Sequence, residues 1–260
     1  MEGALIKMSK NLLVTGGSRG IGRDIALNAG DQGWDVVVNY AGNRDMAEDV
    51  AAQIRDKGQR AMAVQGDVSK IEDVERLFAA VDDEFGALHG LVNNAGVGKS
   101  QGPFEDCLPE DLVATFEVNV FGLFYCAQAA VRRMSTKHGA AGGSIVNVSS
   151  AASRTGGVNA FIDYAASKSA VDTITTGLAR ELGGVGIRVN AVRPGVTETE
   201  MIEHVRATDP GWLDQVVRTM PMGRIGEVRE ISNPILWLLS DEASYVTGTI
   251  IDASGGRATP

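Results

Sequence analysis

The chain is short of several things. It has two cysteines, Cys107 and Cys126, in 260 residues. They form no CxxC pair and no metal spacing, so two free thiols in or near the core is what they support. Three scattered histidines, His89, His138 and His204, suggest no metal site. Positive charge is scarce: 24 Lys and Arg against 33 Asp and Glu leave a net charge of −9. Nucleic acid is therefore not expected as the main partner, because phosphate contacts need clustered Lys and Arg. No apolar run is read as reaching the about 18–20 residues of a membrane span. No basic stretch ahead of an apolar core marks a secretory signal. A cytoplasmic, reducing compartment is the expectation. Proline is sparse, with 7 residues, whereas glycine is abundant, with 32. That balance suits many tight turns between strands and helices.

Apolar runs alternate with amphipathic stretches along the chain. Strands are expected at 11–15, 35–39, 61–65, 88–93, 144–149, 187–191 and 249–252. Helices are expected from the glycine run to Gln32, at 44–57, 71–85, 109–134, 164–182 and 228–239. Ala47, Val50, Ala51 and Ile54 form one stripe on the second helix. Apolar strands separated by helices imply a parallel sheet covered on both faces through right-handed crossovers. The rhythm does not reset. We therefore expect an N-terminal extension over 1–9, with Met8 as a second possible start. Residues 10–260 then form one Rossmann-type, doubly wound α/β domain of about seven parallel strands. Ligands in such sheets bind beyond the carboxyl ends of the strands.

Two groups of residues fall there. The first is the glycine run Thr15-Gly-Gly-Ser-Arg-Gly-Ile-Gly22 after the first strand. Glycine permits the tight turn and lets backbone approach a pyrophosphate at a helix N-terminus. Alone, such a run also fits a turn with nothing bound. The second group is Ser150, Tyr164 and Lys168. Tyr and Lys four apart share one helix face. A cation beside a phenol is expected to lower its pKa from about 10 and make Tyr164 a proton donor and acceptor.

These motifs, in this order, resemble the short-chain dehydrogenase/reductase family over essentially the whole chain. They are Thr-Gly-x-x-x-Gly-x-Gly, Asp67-Val68, Asn93-Asn-Ala-Gly96, Asn119, Ser150, Tyr164-x-x-x-Lys168 and Pro194-Gly195 with Thr199. Several look closest to bacterial members related to 3-oxoacyl carrier-protein reductases and glucose dehydrogenases. The resemblance implies an oxidoreductase that moves a hydride between a nicotinamide and a small carbonyl or alcohol. Ser150 would polarise the carbonyl and Tyr164 would protonate it. Lys168 would hold the nicotinamide ribose and tune the tyrosine, and Asn119 would anchor a water in the proton relay. Gly16, Ser18, Arg19, Gly20, Ile21 and Gly22 would cradle the phosphates. Asp67 and Val68 would hold the adenine, and Asn93, Ala95 and Gly96 would line the channel. Pro194, Gly195, Val196 and Thr199 would hold the carboxamide.

NAD-using members end the second strand with an acidic residue, whereas this chain has Asn39-Tyr40, and these two residues are expected to contact the cofactor there. A carboxylate that would repel a 2′-phosphate is missing. Arg19 and Arg44 are candidates to bind that phosphate. NADP(H) is favoured over NAD(H). One departure from the family stands out. Relatives commonly place the serine where Ala151 stands, thirteen residues before the tyrosine, while Ser150 is fourteen before Tyr164. Successive strand residues point to opposite faces, so Ser149 and Ser150 cannot both reach the tyrosine.

Residues 196–223 resemble a substrate lid. Met201, Ile202, Trp212, Met220 and Met222 could line a pocket. Glu198, Glu200, Glu203, Asp209 and Asp214 would form a solvated outer face. The stretch before the sixth strand, Gly183–Gly186, lacks the arginine with which carrier-protein reductases dock an acidic partner. Free carbonyls or alcohols thus rank above carrier-protein substrates. A homodimer or homotetramer through the helices at 109–134 and 164–182 is implied by resemblance. A nucleotide sensor on the same fold, and a lyase or epimerase using the same Tyr and Lys, are the competing functions.

Overall fold

The computed structural model describes residues 10–100, 102–158, 161–200, 202–203, 206 and 210–258. The extension 1–9 and the lid residues Met201, His204 and Asp209 lie outside the described residues. Seven strands form one parallel sheet in the order β3-β2-β1-β4-β5-β6-β7. They are β1 (Asn11–Val14), β2 (Asp35–Tyr40), β3 (Ala61–Gln65), β4 (Gly90–Asn93), β5 (Gly143–Val148), β6 (Ile187–Pro194) and β7 (Ile250–Ala253). The order reverses between β1 and β4, which opens a crevice at their carboxyl ends.

Alternation along each strand feeds two cores. Leu12 and Val14 of β1 join Val36, Val38, Ile25 and Ile235 on one face. Leu13 joins Val37, Leu91, Phe78 and Ile187 on the other. Because both faces are covered, the strands read as unbroken apolar runs rather than as alternating ones. The helices are α1 (Gly20–Asp31), α2 (Arg44–Asp56), α3 (Ile71–Phe85), α4 (Pro109–Met134), α5 (Ile162–Leu182), α6 (Pro210–Arg218) and α7 (Val228–Leu239). The α2 stripe is buried as its period predicts.

Three features differ from the sequence expectations. First, α4 contains a π-helical turn at Glu117–Gly122. Second, β6 runs on to Pro194, past its apolar stretch, because its Arg193 is ion-paired with Asp172 and Asp252. Third, α4 is 26 residues long, with a window of mean hydropathy 1.3, long and apolar enough to cross a membrane by length and composition. It is instead a helix of the domain. Thr115, Asn119, Leu123, Cys126, Ala130 and Met134 are buried against its neighbours, while Leu112, Val113, Phe121 and Phe124 are exposed.

Candidate active site

The glycine loop follows β1 and is held by side chains from two neighbouring strands. Asn94, just past β4, donates its amide to the Thr15 and Gly16 carbonyls at 2.9 and 3.0 Å. The Thr15 hydroxyl accepts from the backbone N–H groups of Asn94 and Ala95 at 3.0 and 3.1 Å. A Cβ on Gly22 would lie 2.2 Å from the Gly16 carbonyl oxygen and 2.4 Å from the Asn94 amide. Gly16 adopts φ 64°, where glycine is favoured. Sequence reasoning gave Thr15 and Asn94 no separate role. Their place inside two glycine motifs was the available signal.

Asn39 sits in the same frame. Its Oδ1 accepts from the Gly16 N–H at 3.3 Å, and its amide donates to the Val64 and Gly66 carbonyls. It is 1 % exposed, and Tyr40 packs in the core. Both side chains therefore face the fold rather than the mouth of the loop. Solvent at the end of β2 is met by Ala41, Gly42, Asn43 and Arg44.

Helix α1 opens at Gly20, directly behind the loop. No side chain caps it, and its first turn holds no acidic residue. Uncapped N–H groups and the positive end of the helix dipole suit an anion. Ser18 is buried, Ile21 leans on the core, and Arg19 is exposed with no ion partner among the described residues. Thr199, at the start of the lid segment, overhangs the loop: a Cβ on Gly20 would lie 3.7 Å from its methyl group.

At the end of β3, Asp67 accepts from the Ser69 N–H and hydroxyl at 3.0 and 2.8 Å. Val68 packs under Gly122 of the π turn. Asn93 donates to Asn147 Oδ1 at 2.9 Å, and its own Oδ1 is buried without a partner among the described residues. Ala95 and Gly96 continue the channel floor. A Cβ on Gly96 would lie 3.2 Å from Lys168 Nζ and 3.3 Å from Asn119 Oδ1.

The second half of the site surrounds the start of α5. Lys168 is 4 % exposed and donates to the Val148 carbonyl at 2.8 Å. Its Nζ lies 5.6 Å from the centroid of the half-buried Tyr164 ring. Ser150 stands near enough to the Tyr164 phenol to pull its pKa down, and its hydroxyl oxygen accepts from the Ala152 N–H at 3.1 Å. Ser149 points the other way and donates to the Lys168 carbonyl at 3.1 Å. Of the two serines, Ser150 is thus the one brought to the tyrosine. Between them and α5 the chain makes a helical turn, Ala152–Thr155, and then two left-handed glycines, Gly156 and Gly157.

Asn119, in the π turn, is fully used. Its amide donates to the Val97 carbonyl at 2.8 Å and to Ser167 Oγ at 2.9 Å, and its Oδ1 accepts from the Val97 N–H. Its side chain clamps the segment that passes beneath Tyr164. Val97 and Ser167, its partners, were not visible as site residues in the sequence.

The expected effect of lysine on tyrosine is corrected. Burial raises the Tyr164 phenol above its ordinary value, and Ser150 pulls the other way only in part. Burial also lowers Lys168 to about 8, opposed by Asp172. Desolvation outweighs the effect of Ser150 at Tyr164 and the charge of Asp172 at Lys168.

On the far side, β6 ends at Pro194. The Gly195 N–H donates to the Ala253 carbonyl, and a Cβ there would lie 2.8 Å from Ser254 Cα. The Val196 carbonyl accepts from the Gly226 N–H at 3.0 Å, and the Glu198 N–H donates to the Gly226 carbonyl at 2.8 Å. The start of the expected lid segment is therefore pinned. Further along that segment Ile202 and Met220 are buried, whereas Met222 is 62 % exposed. Glu200, Glu203 and Asp214 are exposed, and Glu198 pairs with Arg206.

This geometry agrees with what the chain is similar to. A family model described as enoyl-(acyl carrier protein) reductase matches residues 16–258. The chain belongs to the short-chain dehydrogenase/reductase family. It is an oxidoreductase of that family by its relatives as well. An uncharacterized oxidoreductase, YgfF, of Escherichia coli (strain K12) is 47% identical over 245 residues, 94% of this chain and 98% of that protein. The 3-oxoacyl-[acyl-carrier-protein] reductase FabG of Staphylococcus aureus is 37% identical over 251 residues, 96% and 99% of the two chains. Among solved structures, a gluconate 5-dehydrogenase from Burkholderia cenocepacia in complex with NADP and tartrate superposes with a TM-score of 0.88. It is 31% identical and covers 96% of each chain.

Proposed function

We propose that this short-chain dehydrogenase/reductase uses NADP(H) to interconvert a small, free carbonyl compound and its alcohol, with Tyr164 as the acid and base. The carrying observation is the meeting of Tyr164, Ser150 and Lys168 in a crevice that also receives the uncapped start of α1. The residues fit a dinucleotide. The loop has no room for a Cβ at Gly22, and the first turn of α1 is free of acidic residues. Gly16 to Gly22 and Thr199 would hold the phosphates. Asp67 and Val68 would bound the adenine, and Asn93 to Gly96 would bound the channel. Pro194 to Val196 would meet the carboxamide. When bound, the nicotinamide supplies or accepts the hydride.

The protein's share is proton transfer and placement. Because burial raises the Tyr164 pKa, the phenol keeps its proton at neutral pH. That is the form needed to protonate a carbonyl oxygen. Ser150 donates to the same oxygen and fixes the carbonyl against the phenol. Lys168, held by the Val148 carbonyl, reaches the ribose. Asn119 supports a relay of protons by holding Val97 and Ser167 in place beside the tyrosine.

NADP(H) over NAD(H) is supported by Arg19 and Arg44, exposed and without an ion partner among the described residues, and by the lack of a carboxylate in Asn39-Tyr40 at the end of β2. A free substrate is supported by the acidic lid and by a Gly183–Gly186 stretch without basic residues. The exposed apolar side chains of α4, with Ile162 at the start of α5, are proposed to be covered by a second copy of the chain. Light scattering on the purified protein would report a dimer or tetramer.

The deciding assay offers NADPH and NADH in parallel to a panel of ketones, aldehydes, quinones, sugars and acyl thioesters. The proposal expects oxidation of NADPH by a free carbonyl at least about tenfold faster than oxidation of NADH. A preference for acyl thioesters would move the substrate to the carrier-protein class. NADPH binding with no turnover on any member would favour the sensor.

A further inference from the structure

Lys168 carries a charge where little solvates it, and its state depends on what surrounds it. Tyr164, Lys168 and Asp172 follow at four-residue intervals and share one face of α5. The ammonium itself donates to the Val148 carbonyl of β5, and Gly96 lies beside it, where a Cβ would come within 3.2 Å of Lys168 Nζ. Arg193 of β6 and Asp252 of β7 lie behind Asp172. Among these described groups the carboxylates are Asp172 and Asp252.

Asp172 is not free to swing. Its Oδ2 accepts from both Nε and Nη2 of Arg193, at 3.0 and 2.9 Å. Arg193 is 8 % exposed and gives its Nη1 to Asp252 Oδ1 at 3.3 Å. The other oxygen, Asp172 Oδ1, is buried and has no partner among the described residues. The four side chains sum to zero charge, two cations against two carboxylates. Removing Asp172 would leave two buried cations and one carboxylate, with Arg193 uncovered on the side of Lys168. Arg193 also precedes Pro194, so the same network braces the strand end that borders the cleft.

We propose that Asp172 is a positioning residue that keeps the buried Lys168 ammonium charged, its carboxylate fixed by Arg193 and Asp252. The coupling stands on the four-residue spacing of Lys168 and Asp172 along α5 and on the Asp172–Arg193–Asp252 network that fixes the carboxylate; its consequence for turnover rests on the function proposed above.

The test follows the Cε resonance of Lys168 against pH in protein labelled with 13C-lysine, with Lys168→Arg giving the assignment. No substrate or nucleotide is needed. The expected result is a midpoint near 8 in the wild type, lowered by about one unit or more in Asp172→Asn. Asp252→Asn should lower it by less, and Asp172→Glu should restore most of the wild-type value. If Asp172→Asn does not fold, the smaller shift in Asp252→Asn and the rescue in Asp172→Glu carry the same test. An unchanged Lys168 midpoint in folded Asp172→Asn, or in Asp252→Asn where Asp172→Asn does not fold, overturns the proposal.

With an active substrate in hand, the alkaline limb of kcat/KM for reduction should move to lower pH in Asp172→Asn. A uniform loss at every pH would mark a merely structural role. Wild-type turnover that survives Tyr164→Phe would instead break the proposed function while leaving the Lys168 titration standing.

Discussion

The two ends of the crevice are built in opposite ways. Beyond β1 the working surface is backbone, and buried side chains hold it: Thr15, Asn39 and Asn94 bond the loop from within. Beyond β5 the working surface is side chain, and backbone holds it. Lys168 hangs from the Val148 carbonyl, and Asn119 is clamped to both backbone groups of Val97. A backbone surface tolerates no added atom. A side-chain surface tolerates loss of an atom without loss of shape. Substitutions should therefore fail differently at the two ends.

The largest separation is expected from Gly22→Ala. Its methyl group would meet the Gly16 carbonyl at 2.2 Å, so the loop must move. NADPH affinity should fall by about 100-fold or more, with a loss of about 1–3 kcal/mol in stability from overpacking. Isothermal titration and thermal melting measure the two effects. Retained affinity would mean that the loop does not form the binding surface.

A smaller effect should come from Lys168. Its folded pKa is about 8 against an ordinary value of 10.5. Between those values the unfolded chain holds a proton that the folded chain has released. Unfolding then takes up a proton, so stability rises with pH across that window. Burial raises Tyr164 above its ordinary value, which moves its own titration to the alkaline side of this window. Wild type should gain on the order of 2 kcal/mol over Lys168→Met between those pH values, read as a widening gap in Tm. A constant gap would contradict the burial of the charge.

Arg19 sharpens the contrast within the first end, since there a side chain is proposed to read the cofactor. Arg19→Ala should weaken NADPH about tenfold and leave NADH unchanged, as for the loss of a charge-assisted phosphate contact. Equal weakening of both would place Arg19 elsewhere. The smallest effect belongs to Ser149→Ala, which removes a hydroxyl that faces the Lys168 carbonyl. About 1 kcal/mol of stability and less than about threefold in turnover should be lost. A deep loss of turnover would exchange the roles of the two serines.

Much of this was legible in the chain. The alternation of apolar runs and stripes located the strands and helices, and the glycine, Tyr and Lys spacings located both ends of the crevice. Polar residues at strand ends were harder to read. Asn39 could equally have faced a ribose or the fold, and only its bonds to Gly16, Val64 and Gly66 place it. Arg193 hid the last part of β6, because a charged residue in a strand reads as an ending unless its buried partners are known. The π turn at Glu117–Gly122 leaves the apolar period nearly intact and has no signature of its own. The direction of the Tyr164 shift depends on burial, opposed in part by Ser150, a balance that spacing does not contain.

The most direct test of the contrast is Tyr164→Phe, assayed for NADPH affinity and for turnover on the best carbonyl substrate. The variant removes one hydroxyl from the side-chain end and leaves the loop untouched. Affinity should stay within about twofold while turnover falls by about 100-fold or more. A fall in both together, or turnover near the wild-type rate, would contradict the division between a binding end and a chemical end.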